Sequence, residues 1–154
     1  MVSMSLILHD IRSVHNVGSI FRTADAGGVK KIYLTGYTPA PVDRFGRARK
    51  DFTKVSLGAE RTVEWEAVAL KPLLVKLKKS GVQVVAVEQD KHSVDYRGFR
   101  PQKSVALILG NETEGIARTI LKRCDAIVEI PMHGVKESLN VSVAAGIVLF
   151  AFIR

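Results

Sequence analysis

Three separated stretches of the chain set polar groups beside glycines at spacings that could do chemistry: HDIRSVHNVGSIFRTADAGG, LILGNETEGI and IPMHGVKESLNVSVAAGI. In the first, Asn16 stands where an expected strand turns into a helix. Gly18 follows two residues on, a place where backbone amides open toward an anion or polar ligand. Arg22 comes six residues after Asn16, one to two turns into a helix that begins at Val17. In the second stretch an apolar run enters Gly110-Asn111-Glu112, where the missing side chain of Gly110 lets a ligand approach the backbone. In the third, Ser138 and Asn140 precede an apolar segment, and the Pro131–Gly134 turn exposes the Ile130 carbonyl as an edge for a flat ring. Each group also has a plain structural role. Asn16, Ser138 and Asn140 are ordinary helix caps, Glu112 is a first-turn acid opposite a helix dipole, and Arg22 is a surface charge.

Several chemistries lack their residues. Gly110 and Gly115 resemble a phosphate loop, but Ile116-Ala117 stands where a Lys-Ser/Thr pair is required, and no G-x-G-x-x-G occurs. Cys124 is the single cysteine, which excludes an internal disulfide and any multi-cysteine metal site. The four histidines are scattered, so no metal is expected; His15 and His133 are the two that adjoin the motifs.

Charge points to a polyanion. The 154 residues carry 23 Lys+Arg against 15 Asp+Glu, a net +8. Half of that excess lies in RFGRARKDFTK, where Arg44, Arg47, Arg49, Lys50 and Lys54 meet one acid, Asp51. Phe45 and Phe52 are interleaved with them, a mixture of guanidinium forks and aromatic faces that suits single-stranded or looped RNA. A solvated loop whose charges only aid solubility has the same composition.

The elements that must position these residues alternate between β and α. Strands are expected at Ser5–Leu8, Lys31–Leu34, Gln83–Val87, Val105–Leu109 and Ala126–Ile130, and helices at Val17–Ala26, Val68–Lys79, Gly115–Arg123 and Leu139–Phe152. A polar connection of some 25 residues, Gly36–Thr62, is too long for an ordinary loop. Strands that are continuously apolar are buried on both faces, so the fold is α/β, a mostly parallel sheet flanked by helices. Ligands in such sheets bind beyond the carboxyl ends of the strands, where all three motifs lie. The last helix, VSVAAGIVLFAFI, is apolar nearly all round and must be covered on several sides, by its own chain or by a second copy in a homodimer. With no signal peptide and no apolar run of membrane-spanning length, the chain reads as one cytoplasmic domain.

Together the motifs resemble those of the SpoU (TrmH-like) branch of the SPOUT RNA methyltransferases. The matching pieces are N-x-G-x-x-x-R at Asn16–Arg22, LGNE at Leu109–Glu112, and IPM followed by LNVSVA between Ile130 and Ala144. That resemblance implies a deep C-terminal trefoil knot, a homodimer and a catalytic domain without a separate RNA-binding domain. It also implies transfer of methyl from S-adenosylmethionine to a ribose 2′-hydroxyl, with tRNA favoured over rRNA; a catalytically silent RNA-binding protein on the same fold is the rival. Carried over residue by residue, the cofactor would be held by Gly110, Ile130, Met132, Leu139 and the loop after Val87. Asn16, Arg22, Glu112, Ser138 and Asn140 would form the catalytic group, with Arg22 at the reacting ribose. The Arg44–Lys54 segment would then grip the RNA.

Overall fold

Leu6, Ile7 and Leu8 of one strand, and Leu107 and Ile108 of another, are completely buried, which fixes those strands at the centre of the molecule. The computed structural model describes residues 1–153. Its strands are β1 (Ser3–His9), β2 (Lys31–Thr35), β3 (Glu64–Ala67), β4 (Gln83–Val87), β5 (Val94–Asp95), β6 (Ser104–Leu109) and β7 (Ala126–Glu129). They form one sheet in the order β3-β2-β1-β6-β4-β7-β5, with every pairing parallel.

Because side chains alternate across a strand, the sheet feeds two separate cores. Leu6, Leu8, Leu34, Val85 and Leu107 pack toward α1 (Val14–Ala26), α2 (Lys50–Ser56) and α6 (Val141–Phe152). Ile7, Tyr33, Ala86 and Ile108 point the other way, toward α4 (Leu70–Lys79) and the single turn α5 (Arg118–Leu121). Among the described residues no helix is long and apolar enough to cross a membrane.

Some boundaries move from the sequence expectation, each for a physical reason. The helix expected from Val17 starts at Val14, because Ser13 rather than Asn16 is its cap: the Ser13 hydroxyl accepts from the Asn16 amide at 3.1 Å. The long connection is not structureless. It holds α2 and α3 (Ala59–Thr62), whose Phe52 and Ala59 enter the core, and it ends in β3. β3 has no apolar run to announce it; it pairs with β2, and Lys31 bridges Glu64 at 3.0 Å and Glu66 at 2.8 Å. The helix expected over Gly115–Arg123 shrinks to α5, and the terminal helix begins at Val141, capped by Asn140 alone and not by Ser138.

The apolar α6 buries Ala145, Val148, Leu149 and Phe152, while Val143 and Phe150 stay about half exposed. One chain therefore covers one side of this helix, not several.

Candidate active site

Asn16 is freed by Ser13 for other work. Its side chain is buried and joins all three motifs: Nδ2 donates to Glu112 Oε1 at 3.2 Å, and Oδ1 accepts from Asn140 Nδ2 at 3.1 Å. Asn140 Oδ1 in turn accepts from the Ser142 amide at 2.9 Å and so caps α6. Glu112 lies nearly 100 residues from α1 in sequence, yet it accepts the Arg12 and Ser13 amides at 3.1 and 3.0 Å. It thus does for α1 what a glutamate of the first turn usually does for its own helix. Partial burial works to raise the Glu112 carboxyl; the hydrogen bonds from Ser13, its own amide, Arg12 and Asn16 outweigh that and hold it below the ordinary range. The anion at this helix start is therefore the protein's own. Gly18, one turn further, is a packing residue: a Cβ there would lie 3.0 Å from Val55 Cβ and 3.2 Å from the Phe52 carbonyl oxygen of α2.

Beyond the ends of β4, β6 and β7 lies a cavity of about 400 Å³. Val87, Gly110, Ile130, Met132 and Leu139 line it, and so do Glu112 and Ser138. Three loops make this wall, and two residues of the loop after Val87, which sequence reasoning did not single out by number, tie them together. The Glu88 carboxylate accepts from the Gln89 amide at 2.8 Å and from the Ile116 amide at 2.9 Å. It fills the space a side chain at position 115 would need, where Gly115 also has a φ of +67°. Gln89 Nε2 donates to the Glu137 carbonyl at 2.7 Å, fixing the last loop over the cavity. The only signal for either was position, immediately after a strand in a sheet that binds ligands at that end. Asp90 and Glu129 also face the cavity, whose single basic lining residue among the described residues is Arg118.

Arg22 is not in that wall. From Asn16 to Arg22 is about 9 Å along the helix and some 120° around it, which turns the arginine to a different face. There Arg22 lines a broad groove of about 1200 Å³ with Val14, Lys54, Ser142, Val143 and Phe150. The structure brings Asn16, Glu112 and Asn140 into one network and Ser138 into the cavity, and it leaves Arg22 on the groove of the same chain.

The basic segment adjoins that groove through Lys54. Arg47 pairs with Asp43 at 3.1 Å and Arg49 with Asp51 at 2.8 Å, whereas Arg44, Lys50 and Lys54 have no acid partner among the described residues. The two phenylalanines part company. Phe52 is fully buried and edge-on to Phe21 at 5.1 Å, so it belongs to the core and not to a stacking surface; Phe45 stands in solvent.

Residues 3–150 match the SpoU rRNA methylase family. Over 97% of the chain, 38% of residues are identical to a 23S rRNA (guanosine-2′-O-)-methyltransferase, RlmB, of Ralstonia nicotianae, of which the match covers 57%. Among solved structures, an AdoMet-bound rRNA methyltransferase from Sinorhizobium meliloti superposes with a TM-score of 0.85 at 31% identity, over 97% of this chain and 55% of that one. A TrmH/SpoU tRNA modifying enzyme of A. aeolicus gives 0.84 at 30% identity, over 98% and 74%. The chain spans a little over half the length of the curated relatives it matches. Motifs, all-parallel sheet and these likenesses agree: the chain belongs to the SpoU rRNA methylase family.

Proposed function

We propose that this chain methylates a ribose 2′-hydroxyl of RNA with S-adenosylmethionine as donor. The observation that carries the reading is the strand-end cavity, whose volume suits a nucleoside-sized ligand and whose lining is rich in carboxylates in a chain of net charge +8. Such a cleft fits a cationic sulfonium and disfavours free phosphates. The backbone at Gly110, Ile130 and Leu139 would hold the adenosyl group, with Met132 and Val87 against its ring. When bound there, S-adenosylmethionine supplies an electrophilic methyl group.

The protein's own part is placement and charge. Asn16 holds the Glu112 and Asn140 loops in register, and Ser138 lines the cavity beside Leu139. The ribose hydroxyl must lose its proton as it attacks; an arginine, always protonated, is a poor base for that, and the proton leaves to solvent water. Arg22 instead grips the neighbouring phosphate and stabilises negative charge growing on the ribose oxygen.

Since Arg22 and the cavity lie on different faces of one chain, we read the working unit as a homodimer in which α6 packs on a second copy and Arg22 serves the partner's cavity. The half-exposed Val143 and Phe150 favour that contact. The C-terminal knot and the reading of these residues as one catalytic domain belong to the same proposal. The RNA is the finer choice. Sequence alone leaned to tRNA; the names of the similar curated proteins lean to 23S rRNA, which we take as the first substrate.

Purified protein is incubated with radiolabelled S-adenosylmethionine and either 23S rRNA or total tRNA. Label should enter rRNA at a nucleotide that then resists alkaline cleavage on its 3′ side. Label confined to tRNA would move the substrate, and label on a base or on neither RNA would end the reading.

A further inference from the structure

The turn at Asp43–Arg47 displays an aromatic ring under conditions that nothing in the core requires. Phe45 is 66% exposed. The Arg44 and Arg47 guanidinium carbons lie 4.9 and 5.0 Å from its ring centre, within cation–π range.

The turn is also rigid. Asp43 Oδ1 accepts the Phe45 amide at 2.8 Å and the Arg47 amide at 3.0 Å, and Oδ2 accepts from Arg47 Nε at 3.1 Å. The Asp43 amide donates to the Arg47 carbonyl at 2.8 Å, and Val42 and Ala48 close the base as an antiparallel bridge. An exposed phenylalanine on a floppy loop would be unremarkable. One held on a five-residue turn, with two guanidiniums in cation–π range of its ring, in a segment whose Lys50 and Lys54 have no acid partner among the described residues, is a preformed surface.

We infer that Phe45, with the Arg44 and Arg47 guanidiniums within cation–π range of its ring, is a stacking platform for one unpaired base of the RNA substrate. This rests on the RNA reading above and adds to it the state of the nucleic acid and the residue that senses it. A flat apolar ring flanked by cations complements a base face with phosphates on either side, in charge and in shape. A duplex hides its base faces, so the platform selects a loop, a bulge or a single strand. No hydrogen-bonding group of Phe45 reads the base edge; the platform therefore tolerates any base.

The test measures binding of the full chain to a fluorescent single-stranded RNA and to a duplex of equal length, across a salt series. Phe45→Leu should weaken single-strand binding at least fivefold, leave its salt dependence unchanged and barely alter duplex binding. Phe45→Trp should keep wild-type affinity. Arg44→Gln with Arg47→Gln should instead flatten the salt dependence. Thermal melting of each variant checks folding, which the exposed ring should not affect. If wild-type protein binds RNA and Phe45→Leu binds single strands equally well, or loses duplex binding equally, the platform is wrong while the RNA reading stands. If wild-type protein binds neither RNA and Phe45 proves to lie in a contact with another protein, both fall.

Discussion

The cleft at the strand ends and the groove along α1 and α6 differ in sign and in closure. Glu88, Asp90, Glu112, Glu114 and Glu129 line the cleft, and its loops are bound to one another through Glu88, Gln89 and Asn16. The groove sets Arg22 and Lys54 beside Val143 and Phe150, and among the described residues no hydrogen bond or ion pair of Arg22 closes it. A cavity whose walls are tied together can hold a small ligand within one chain. A groove edged by bare apolar side chains has lost less on folding than it stands to gain from a partner. The proposed chemistry needs both a donor pocket and a cation at the ribose; the cleft and Arg22 lie on different faces of one chain, and Asn16 is the residue that α1 contributes to the closed side.

The sharpest way to break that division is at Arg22. Arg22→Ala should cut methyl transfer by about 100-fold or more, the scale of losing a charge-stabilising donor, while calorimetry shows unchanged binding of S-adenosylmethionine. Lost cofactor binding would put Arg22 in the cleft after all. A companion experiment mixes the Arg22→Ala chain with a second variant that cannot bind cofactor. Activity restored in the mixture supports a site shared between copies, and none restored counts against it. Phe150→Glu, which charges the groove, should turn a dimer into a monomer by sedimentation.

Next in size is Asn16→Ala. It leaves Asn140 Nδ2 without its acceptor and Glu112 without one donor at a partly buried junction, and should cost about 1 kcal/mol of folding stability by denaturant titration. If the network acts as a unit, Asn140→Ala added to Asn16→Ala should cost less than the sum of the two alone. Additivity would mean that the motifs are adjacent but uncoupled.

These residues show what sequence can and cannot convey. The continuous apolar runs of β1 and β6 were readable because burial on both faces erases alternation. The motif residues were readable because polar groups cluster at strand ends for a reason. β3 was not: EWEA carries its acids for Lys31, a partner over thirty residues away, and no local pattern encodes that. Nor was the placement of Arg22 on the groove, outside the cleft of its own chain, since that follows from the docking of α1 against α2 and α6. Phe45 and Phe52 look alike in the chain, and only the docking of α2 against α1 separates the exposed one from the core one.

On the basic side, charges already paired should contribute less than free ones. Replacing Arg44, Lys50 and Lys54 together by Gln should lower the slope of log affinity against log salt by roughly 2, at about 0.7 for each phosphate contact on a single strand. Arg49→Gln, which removes a charge already paired with Asp51, should change that slope far less. Equal effects would mean that the ion pairs open on binding.

The smallest effect expected is at Glu112, and it reports on the closed side alone. Its carboxyl titrates below its ordinary value of 4.5, because the amides of α1 and Asn16 stabilise the charged form more than partial burial opposes it. A depressed folded value means that unfolding favours proton uptake. The carboxylate's contribution is therefore complete above about pH 5 and lost as pH falls through 4.5 and below. Solvent reaches this group, so the contribution stays under about 1 kcal/mol. Glu112→Gln should lower stability at pH 7 by that modest amount and narrow the gap from wild type below pH 4. A gap that instead widened in acid would mean that Glu112 is held in its protonated form, which would take one of five carboxylates from the cleft and undo the anion at the start of α1.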